Sequence, residues 1–343
     1  MITIFSDRHR LQSVDTEFYR GKWMDAFEIP RRAELVLEAV GRADLGPVIA
    51  PDSFDIEPVL AVHDAAFVRF LETIWADWLA EVGDIPAYPN IWPPRRTRMI
   101  PTTRPGAELG RYAVDMSSPV LAGTWEAARA AVDCALTGAR LVNDGAPAAF
   151  ALCRPPGHHA GRDYFGGYCF LNNAAIAAQH FRDTGAGRVA VLDIDYHHGN
   201  GTQDIFYDRA DVLTVSIHAD PVQEYPYYIG FADETGTGAG QGCNLNLPLP
   251  WGSGFAAWGA ALETALARIA AFAPDRLVVS LGVDAFEEDP ISRFTLKSAD
   301  FLEAGRRIGA LGIPALFVLE GGYAIEAIGT NAVNVLQGHS APR

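Results

Sequence analysis

The sequence lacks three features: an excess of basic residues, closely spaced cysteines and a long uninterrupted apolar run. Its 343 residues include 27 Lys and Arg against 42 Asp and Glu, which gives a formal net charge of −15. Because contacts from Lys and Arg to phosphates dominate affinity for nucleic acids, we expect no DNA or RNA partner. Charged residues interrupt the chain before a run of ~18 apolar residues can form, so we also expect no membrane partner.

Cysteine usage and composition narrow the class of protein. The four cysteines form no Cys-x-x-Cys pair, which disfavours a thiolate zinc site and a redox pair. They are Cys134, Cys153, Cys169 and Cys243. We therefore expect a reducing, cytoplasmic environment. With 49% hydrophobic residues and 33 glycines, the chain is neither disordered nor collagen-like. Since α/β domains often exceed ~250 residues, we expect one domain over residues 1–343.

Five apolar runs in the second half of the chain predict strands. They cover residues 148–153, 189–193, 212–217, 277–281 and 314–319. The runs are apolar without alternation and helical patterns separate several of them, which is typical of a mostly parallel sheet buried on both faces. Upstream, Pro30 precedes a helical spacing of apolar residues, and Thr124 begins an amphipathic stretch that extends to about Asn143. We predict an α/β fold with a mostly parallel central sheet flanked by helices.

Residues 83–120 lie between these two helices and are rich in Pro, Arg and Gly, with little periodicity. A loop of this length inside a compact domain is uncommon, and such loops are usually functional or interaction elements. Tyr88, Ile91, Trp92 and Met99 are unusual residues for a disordered segment. We predict an interaction loop here.

Charged and polar residues follow the predicted strands at the point where each strand ends. In a parallel sheet these ends lie on one edge, where ligands bind. Asp195 and His197 follow the second run, and Asp284 follows the fourth. One imidazole and two carboxylates would leave a coordination position for water or substrate, which is the arrangement of a catalytic metal site. The pattern predicts a metal on these three residues.

A second group of residues indicates acid/base chemistry at the same edge. His158 and His159 follow Pro-Pro-Gly, which favours a rigid turn, and imidazoles exchange protons near neutral pH. Asp193 and Asn200 are candidate partners for the two rings, although each could instead cap a turn. Tyr323 follows two glycines and can donate a hydrogen bond to a developing oxyanion. Together with a metal, these groups suit hydrolysis of an amide.

The motifs of this chain resemble those of the histone deacetylase superfamily, and specifically of the bacterial acetylpolyamine amidohydrolases. They are Arg154-Pro155-Pro156-Gly157-His158-His159, Gly167-Tyr168-Cys169-Phe170-Leu171-Asn172-Asn173, Asp193-Ile194-Asp195-Tyr196-His197-His198-Gly199-Asn200-Gly201-Thr202 and Glu320-Gly321-Gly322-Tyr323. The resemblance extends over essentially the whole chain, including the Pro-rich segment and the helix start at Thr124.

The resemblance implies an arginase/deacetylase fold with one Zn²⁺ per subunit on Asp195, His197 and Asp284. It implies that His159 is the general base, with His158 as its electrostatic or acid partner. It also implies that Tyr323 polarises the substrate carbonyl. The aromatic tunnel of the family carries over to Tyr168, Tyr225 and Gly167. A structural K⁺ site is implied at Asp193, Asp195, His197, Ser216 and Ile217, and a second near Phe206, Arg209, Val212 and Cys243.

The Pro-rich segment decides the expected substrate. In the polyamine branch this segment builds a homodimer interface and narrows the entrance, which favours a slim acetylated amine. Relatives that bind long polyamines have acidic residues there, whereas this chain reads Thr103-Arg104-Pro105-Gly106 and Met116-Ser117-Ser118. Glu108 or Asp115 could substitute for them. We therefore expect short acetylated diamines, such as acetylputrescine or acetylcadaverine, as substrates.

Three alternatives remain at this point. An acetyl-lysine protein deacetylase would use the same chemistry at the metal and differ at the rim. An arginase-like ureohydrolase would need a second bridging carboxylate, and the chain has Gly282 at the position expected for it. A ligand sensor that has kept the fold would be expected to have broken motifs, which is not the pattern here.

Overall fold

The computed structural model describes residues 1–96, 98 and 100–341. Thr97 and Met99 of the Pro-rich segment, and the last two residues of the predicted domain, lie outside the described residues. The strands are β1 (Ile2–Ile4), β2 (Thr16–Tyr19), β3 (Lys22–Asp25), β4 (Val48–Ile49), β5 (Ala148–Ala151), β6 (Val189–Asp193), β7 (Val212–Ala219), β8 (Asn244–Leu249), β9 (Arg276–Leu281) and β10 (Ala315–Leu319). The α-helices are α1 (Arg31–Arg42), α2 (Glu57–Leu60), α3 (Ala65–Glu81), α4 (Pro105–Tyr112), α5 (Thr124–Asn143), α6 (Asn173–Asp183), α7 (Asn200–Phe206), α8 (Phe255–Phe272), α9 (Ser298–Ala310) and α10 (Ile328–Ser340).

Within the described ranges, eight strands form one parallel sheet in the order β4-β1-β5-β10-β9-β6-β7-β8. The five predicted strands occupy the consecutive positions β5-β10-β9-β6-β7. This arrangement confirms the predicted α/β fold with a central parallel sheet. The bounds differ slightly from the apolar runs, since the first strand stops at Ala151 and the third continues to Ala219.

The strands are apolar without alternation because helices cover both faces of the sheet. In β10, Leu316 and Val318 join a hydrophobic core that includes residues of α5 and α6. The intervening side chains Ala315, Phe317 and Leu319 join a second core formed with α1, α8, α9 and α10. Successive side chains of a strand point to opposite faces, so both sets of positions must be apolar.

Local signals set the start of several helices. Asp64 and Asn172 accept hydrogen bonds from first-turn backbone N–H groups and so cap α3 and α6. Pro30 directly precedes α1, and α5 begins at Thr124 and ends at Asn143, as the spacing predicts. Helix α6 begins at Asn173, the last residue of the motif that starts at Gly167.

Helix α8 is long and apolar enough to cross a membrane by length and composition alone. However, Glu263 and Arg268 lie within it, and Trp258, Leu262 and Ile269 are buried in the second core. A helix that packs on the core of an α/β domain can have the same length and composition, and α8 packs with one face in the second core.

The sequence patterns missed five strands, and they also missed the three helices α2, α3 and α4 that lie between the two predicted helices. Strands β1, β4 and β8 extend the sheet, and β2 and β3 form an antiparallel hairpin. Most of these strands have two to four residues, which is too short for a periodic signal. The prediction of a loop over 83–120 is wrong in part, because α4 lies within it and buries Leu109 and Tyr112.

Candidate active site

Five neighbouring strands bring the predicted site residues together. The turn at 154–159 follows β5, Asp195 and His197 follow β6, Tyr225 follows β7, Asp284 follows β9 and the turn at 320–323 follows β10. Parallel strands end on the same edge of the sheet, so residues up to 170 positions apart in sequence share one site.

Asp195, His197 and Asp284 form a buried cluster whose ligand atoms all lie within 4.8 Å of one another. His197 Nδ1 lies 2.9 Å from Asp284 Oδ2 and 3.4 Å from Asp195 Oδ1. Backbone N–H groups fix both carboxylates: that of His197 donates to Asp195 Oδ1, and that of Tyr196 donates to Asp284 Oδ1. Two carboxylate oxygens and one imidazole nitrogen thus converge on one point.

The electrostatics of this cluster fit a divalent cation. Burial and the neighbouring charge of Asp195 raise the pKa of Asp284 to about 8. Burial would also raise the pKa of Asp195, but the imidazoles of His158 and His197 hold that pKa below its usual range. Two carboxylates this close and this buried call for a positive charge between them, and an N/O donor set of this kind suits Zn²⁺.

Two glycines make room for Asp195. A Cβ atom on Gly282 would lie 2.1 Å from Asp195 Oδ2, and one on Gly321 would lie 2.5 Å from the same oxygen. The Gly321 N–H also donates to that oxygen at 2.8 Å. Position 282 therefore has no space for the second bridging carboxylate that an arginase-like binuclear site needs.

The tandem histidines have different partners. His158 Nδ1 lies 2.9 Å from Asp193 Oδ2, and His159 Nδ1 lies 2.7 Å from Asn200 Oδ1. Burial lowers the pKa of His158, but the carboxylates of Asp195 and Asp193 outweigh it and raise the pKa to about 10. Burial, together with the nearby positive charges of His158 and His197, lowers the pKa of His159 well below its usual value. The surroundings therefore shift the pKa values of the two imidazoles in opposite directions.

Tyr323 is held from two sides. Its backbone N–H donates to Asp289 Oδ2 at 2.7 Å, and the Arg32 guanidinium lies 4.6 Å from the centre of its ring. Burial raises the pKa of the Tyr323 phenol well above its usual value, although Arg32 opposes this rise. The phenol therefore stays protonated and remains a hydrogen-bond donor.

A buried ionic network joins the histidine turn to the tyrosine turn. Glu28 accepts hydrogen bonds from both Arg32 and Arg154. Arg32 also donates to the backbone carbonyls of Glu320 and Gly322. The Glu320 carboxylate accepts the backbone N–H groups at 157 and 158, at 2.7 and 3.1 Å. Sequence analysis missed Glu28 and Arg32, because residues so distant in sequence carry no spacing signal, and it named Glu320 only as part of the motif that precedes Tyr323.

A cavity of about 390 Å³ leads to the reactive residues. His159 and His197 lie at its floor, and the predicted wall residues Gly167, Tyr168 and Tyr225 line it together with Tyr323. A Cβ atom on Gly167 would lie 2.3 Å from His159 Cδ2, so only glycine leaves the ring its present position. The predicted tunnel residues thus surround the approach to His159.

Two carboxylates accept hydrogen bonds from Tyr225 and Tyr168, the two tyrosines of the predicted tunnel. Tyr225 Oη donates to Asp115 Oδ2 at 2.8 Å, and Tyr168 Oη donates to Glu17 Oε1 at 2.9 Å. Asp115 lines the cavity, whereas Glu108 points elsewhere and binds Thr102. Of the two candidate acidic substitutes, only Asp115 reaches the site. Glu17 was missed, since β2 showed no signal in the sequence.

The residues of the two expected K⁺ sites lie at opposite ends of β7. At its carboxyl end, Ser216 pairs with Asp193 of β6, and Ser216 Oγ contacts Nδ1 of His198 and of His218. Ile217 follows in the same strand. This strand pairs with β6, and Asp195 and His197 follow the carboxyl end of β6. At the other end, Val212 begins β7, and the Arg209 N–H donates to the Phe206 carbonyl. The carbonyl of Cys243 accepts the N–H of Thr214.

Known proteins resemble this chain in sequence and in fold. The sequence profile of the histone deacetylase domain matches residues 26–339. Acetylpolyamine amidohydrolase 1 of Pseudomonas aeruginosa is 57% identical over 323 residues, which cover 93% of this chain and 93% of the relative. Acetylpolyamine amidohydrolase of Mycoplana ramosa is 50% identical over 321 residues, covering 93% of this chain and 94% of the relative. The crystal structure of acetylpolyamine aminohydrolase from Burkholderia pseudomallei superimposes with a TM-score of 0.95 at 45% identity, covering 99% of both chains.

Proposed function

Because this chain belongs to the histone deacetylase family and is an amidohydrolase, we propose that it hydrolyses the acetyl amide of small acetylated amines. Water adds to the acetyl carbonyl, the C–N bond breaks, and acetate and a free amine leave. The observation that carries the proposal is the cavity of about 390 Å³, whose lining includes the buried His159 and His197 and the carboxylate of Asp115. A slim cationic amine fits this volume and charge.

Asp195, His197 and Asp284 are the residues that would hold Zn²⁺. When bound there, Zn²⁺ would polarise the acetyl carbonyl and lower the pKa of the attacking water. The two carboxylates would balance its charge. His197 presents Nδ1 to the site rather than Nε2, because that atom is the one near both carboxylates.

The chain's own groups move the protons. His159 is the general base, since its partner is the neutral amide of Asn200 and its ring can accept a proton from water. His158, next to Asp193, supplies positive charge and a proton for the leaving amine. Tyr323 donates a hydrogen bond to the carbonyl oxygen as negative charge develops on it.

Short acetylated diamines fit the charge of the walls best. Asp115 already accepts hydrogen bonds from Tyr225, Gly167 and Ser117, so it acts on a substrate ammonium through charge rather than as a free acceptor. Glu224 adds a second carboxylate to the lining. The acetylpolyamine names of the relatives support an amine substrate. Acetylputrescine and acetylcadaverine place one ammonium within the cavity.

We further propose that the chain acts as one domain in a cytoplasmic homodimer with structural K⁺ at the two sets of residues described above. The Pro-rich segment supports a dimer, because it exposes Ile85, Ile91 and Ile100, each more than half accessible. Its residues Asp115, Met116 and Ser117 also line the cavity. The four cysteines are free, which fits a reducing compartment.

A kinetic panel tests the substrate. We expect the highest kcat/KM for acetylputrescine or acetylcadaverine, an intermediate value for acetylspermidine and the lowest for an acetyl-lysine peptide. A highest value for the peptide would replace this proposal with a protein deacetylase. Turnover should be lost on chelation and return with one Zn²⁺ per chain, and a requirement for two catalytic ions would contradict the mononuclear site.

A further inference from the structure

The mouth of the cavity carries a cation that the proposed reaction does not use. Arg20 lies at the tip of the β2–β3 hairpin and lines the cavity together with its neighbours Phe18 and Tyr19. Its guanidinium lies 5.1 Å from the centre of the Tyr19 ring. In the described part of the chain, no carboxylate pairs with Arg20 and its side chain makes no hydrogen bond.

The backbone holds this arginine in an unfavourable conformation. Tyr19 pairs with Lys22, so Arg20 and Gly21 form a two-residue turn, and their φ angles are 48° and 83°. Such turns favour Asn or Gly at the first position, because other residues are strained at positive φ. A strained residue at the mouth of an active site suggests that its side chain has a function there.

Charges in the cavity are ordered by depth. Asp115 lies deep, because it binds the Gly167 N–H and the Tyr225 hydroxyl, both next to His159. Arg20 is exposed and lies next to the Tyr19 ring at the tip of the hairpin. Its positive charge opposes the rise that burial causes in the pKa of Tyr19 and of Tyr227. A substrate therefore meets negative charge at depth and positive charge at the mouth.

We propose that Arg20 determines substrate specificity through its electrostatic interaction with the charged group at the distal end of the amine. This inference rests on the proposed function and deepens it. The single ammonium of a short acetylated diamine stops near Asp115. A longer polyamine places a further ammonium at the mouth, where Arg20 repels it, whereas a carboxylate there is attracted.

Charge removal at Arg20 tests the inference. We expect Arg20→Gln to raise the ratio of kcat/KM for acetylspermidine to that for acetylcadaverine by about three- to fivefold at low salt, the size expected for two solvated charges. The gain should fade at high ionic strength, because salt screens exposed charges. Nε-acetyl-lysine differs from acetylcadaverine by one carboxylate, and Arg20→Gln should lower its relative kcat/KM.

Two variants serve as matched controls. Arg20→Lys keeps the charge at the hairpin tip and should keep the wild-type ratio. Lys22→Gln removes a charge from the same hairpin at a position that does not line the cavity, and it should also leave the ratio unchanged.

Several results would overturn the inference. An unchanged ratio in Arg20→Gln, or an equal rise in Lys22→Gln, would show that Arg20 does not read the distal charge. A rise that persists at high salt would indicate a steric effect instead. If the wild type turned over no acetylated amine, the proposed function would fail, and this inference with it.

Discussion

Substitution of Tyr323 by Phe isolates one hydroxyl group from the rest of the site. The hydroxyl makes no hydrogen bond within the described residues, while the ring contacts Arg32 and lies 5.6 Å from Tyr168. Phe keeps the ring in place. We therefore expect the free energy of unfolding to change by no more than about 0.5 kcal/mol, as for substitutions that remove no packing or bonded group.

The effect on catalysis should be far larger. Tyr323 lines the cavity together with His159 and His197, so its hydroxyl is a candidate donor to the carbonyl oxygen in the transition state. Removal of one oxyanion donor typically lowers kcat by about 10²–10³, which corresponds to about 3–4 kcal/mol. We expect such a loss in kcat on acetylcadaverine, with KM changed by less than about twofold because the contact belongs to the transition state.

Steady-state kinetics and denaturant unfolding of Tyr323→Phe measure both quantities. Tyr227→Phe is the control, because it removes a phenol from the mouth of the same cavity and should keep kcat. The reasoning would be refuted if Tyr323→Phe kept the wild-type kcat. It would also be refuted if both variants lost the same activity.

Three further predictions follow from packing and charge. Gly282→Ala should displace Asp195, and elemental analysis should then find less than one metal ion per chain. Gly41→Ala is the control, because it adds a methyl group in open space and should keep one metal ion per chain. Glu28→Ala leaves the buried guanidinium groups of Arg32 and Arg154 without their carboxylate partner, so it should lower the free energy of unfolding by about 3–5 kcal/mol. An unchanged denaturation midpoint would contradict this. Burial lowers the pKa of His63 to about 4, so the native state resists its protonation, and stability should fall by up to about 3 kcal/mol as pH drops from about 6.5 to about 4. His63→Gln should flatten this pH dependence, and an equally steep profile in that variant would assign it to other groups.

The five strands next to the site could be predicted because their signal is local. A strand buried on both faces is apolar at every position, as in β6, where all five residues are buried. The parallel order then placed the strand ends on one edge. The shorter strands and α4 could not be predicted, because a few residues carry no period and α4 lies among prolines.

The motifs by themselves indicated the chemistry: a cluster of candidate metal ligands, a histidine pair and a tyrosine at the ends of neighbouring strands. Only the tertiary structure decided which carboxylates serve the site. It brings Asp115 to the cavity and turns Glu108 away, sets Glu28 between two arginines and places Arg20 at the mouth. The hydrophobic pattern and backbone hydrogen bonding determine where a strand ends, and both can be inferred from the local sequence. Contacts between loops depend on the packing of distant segments, which no local pattern records.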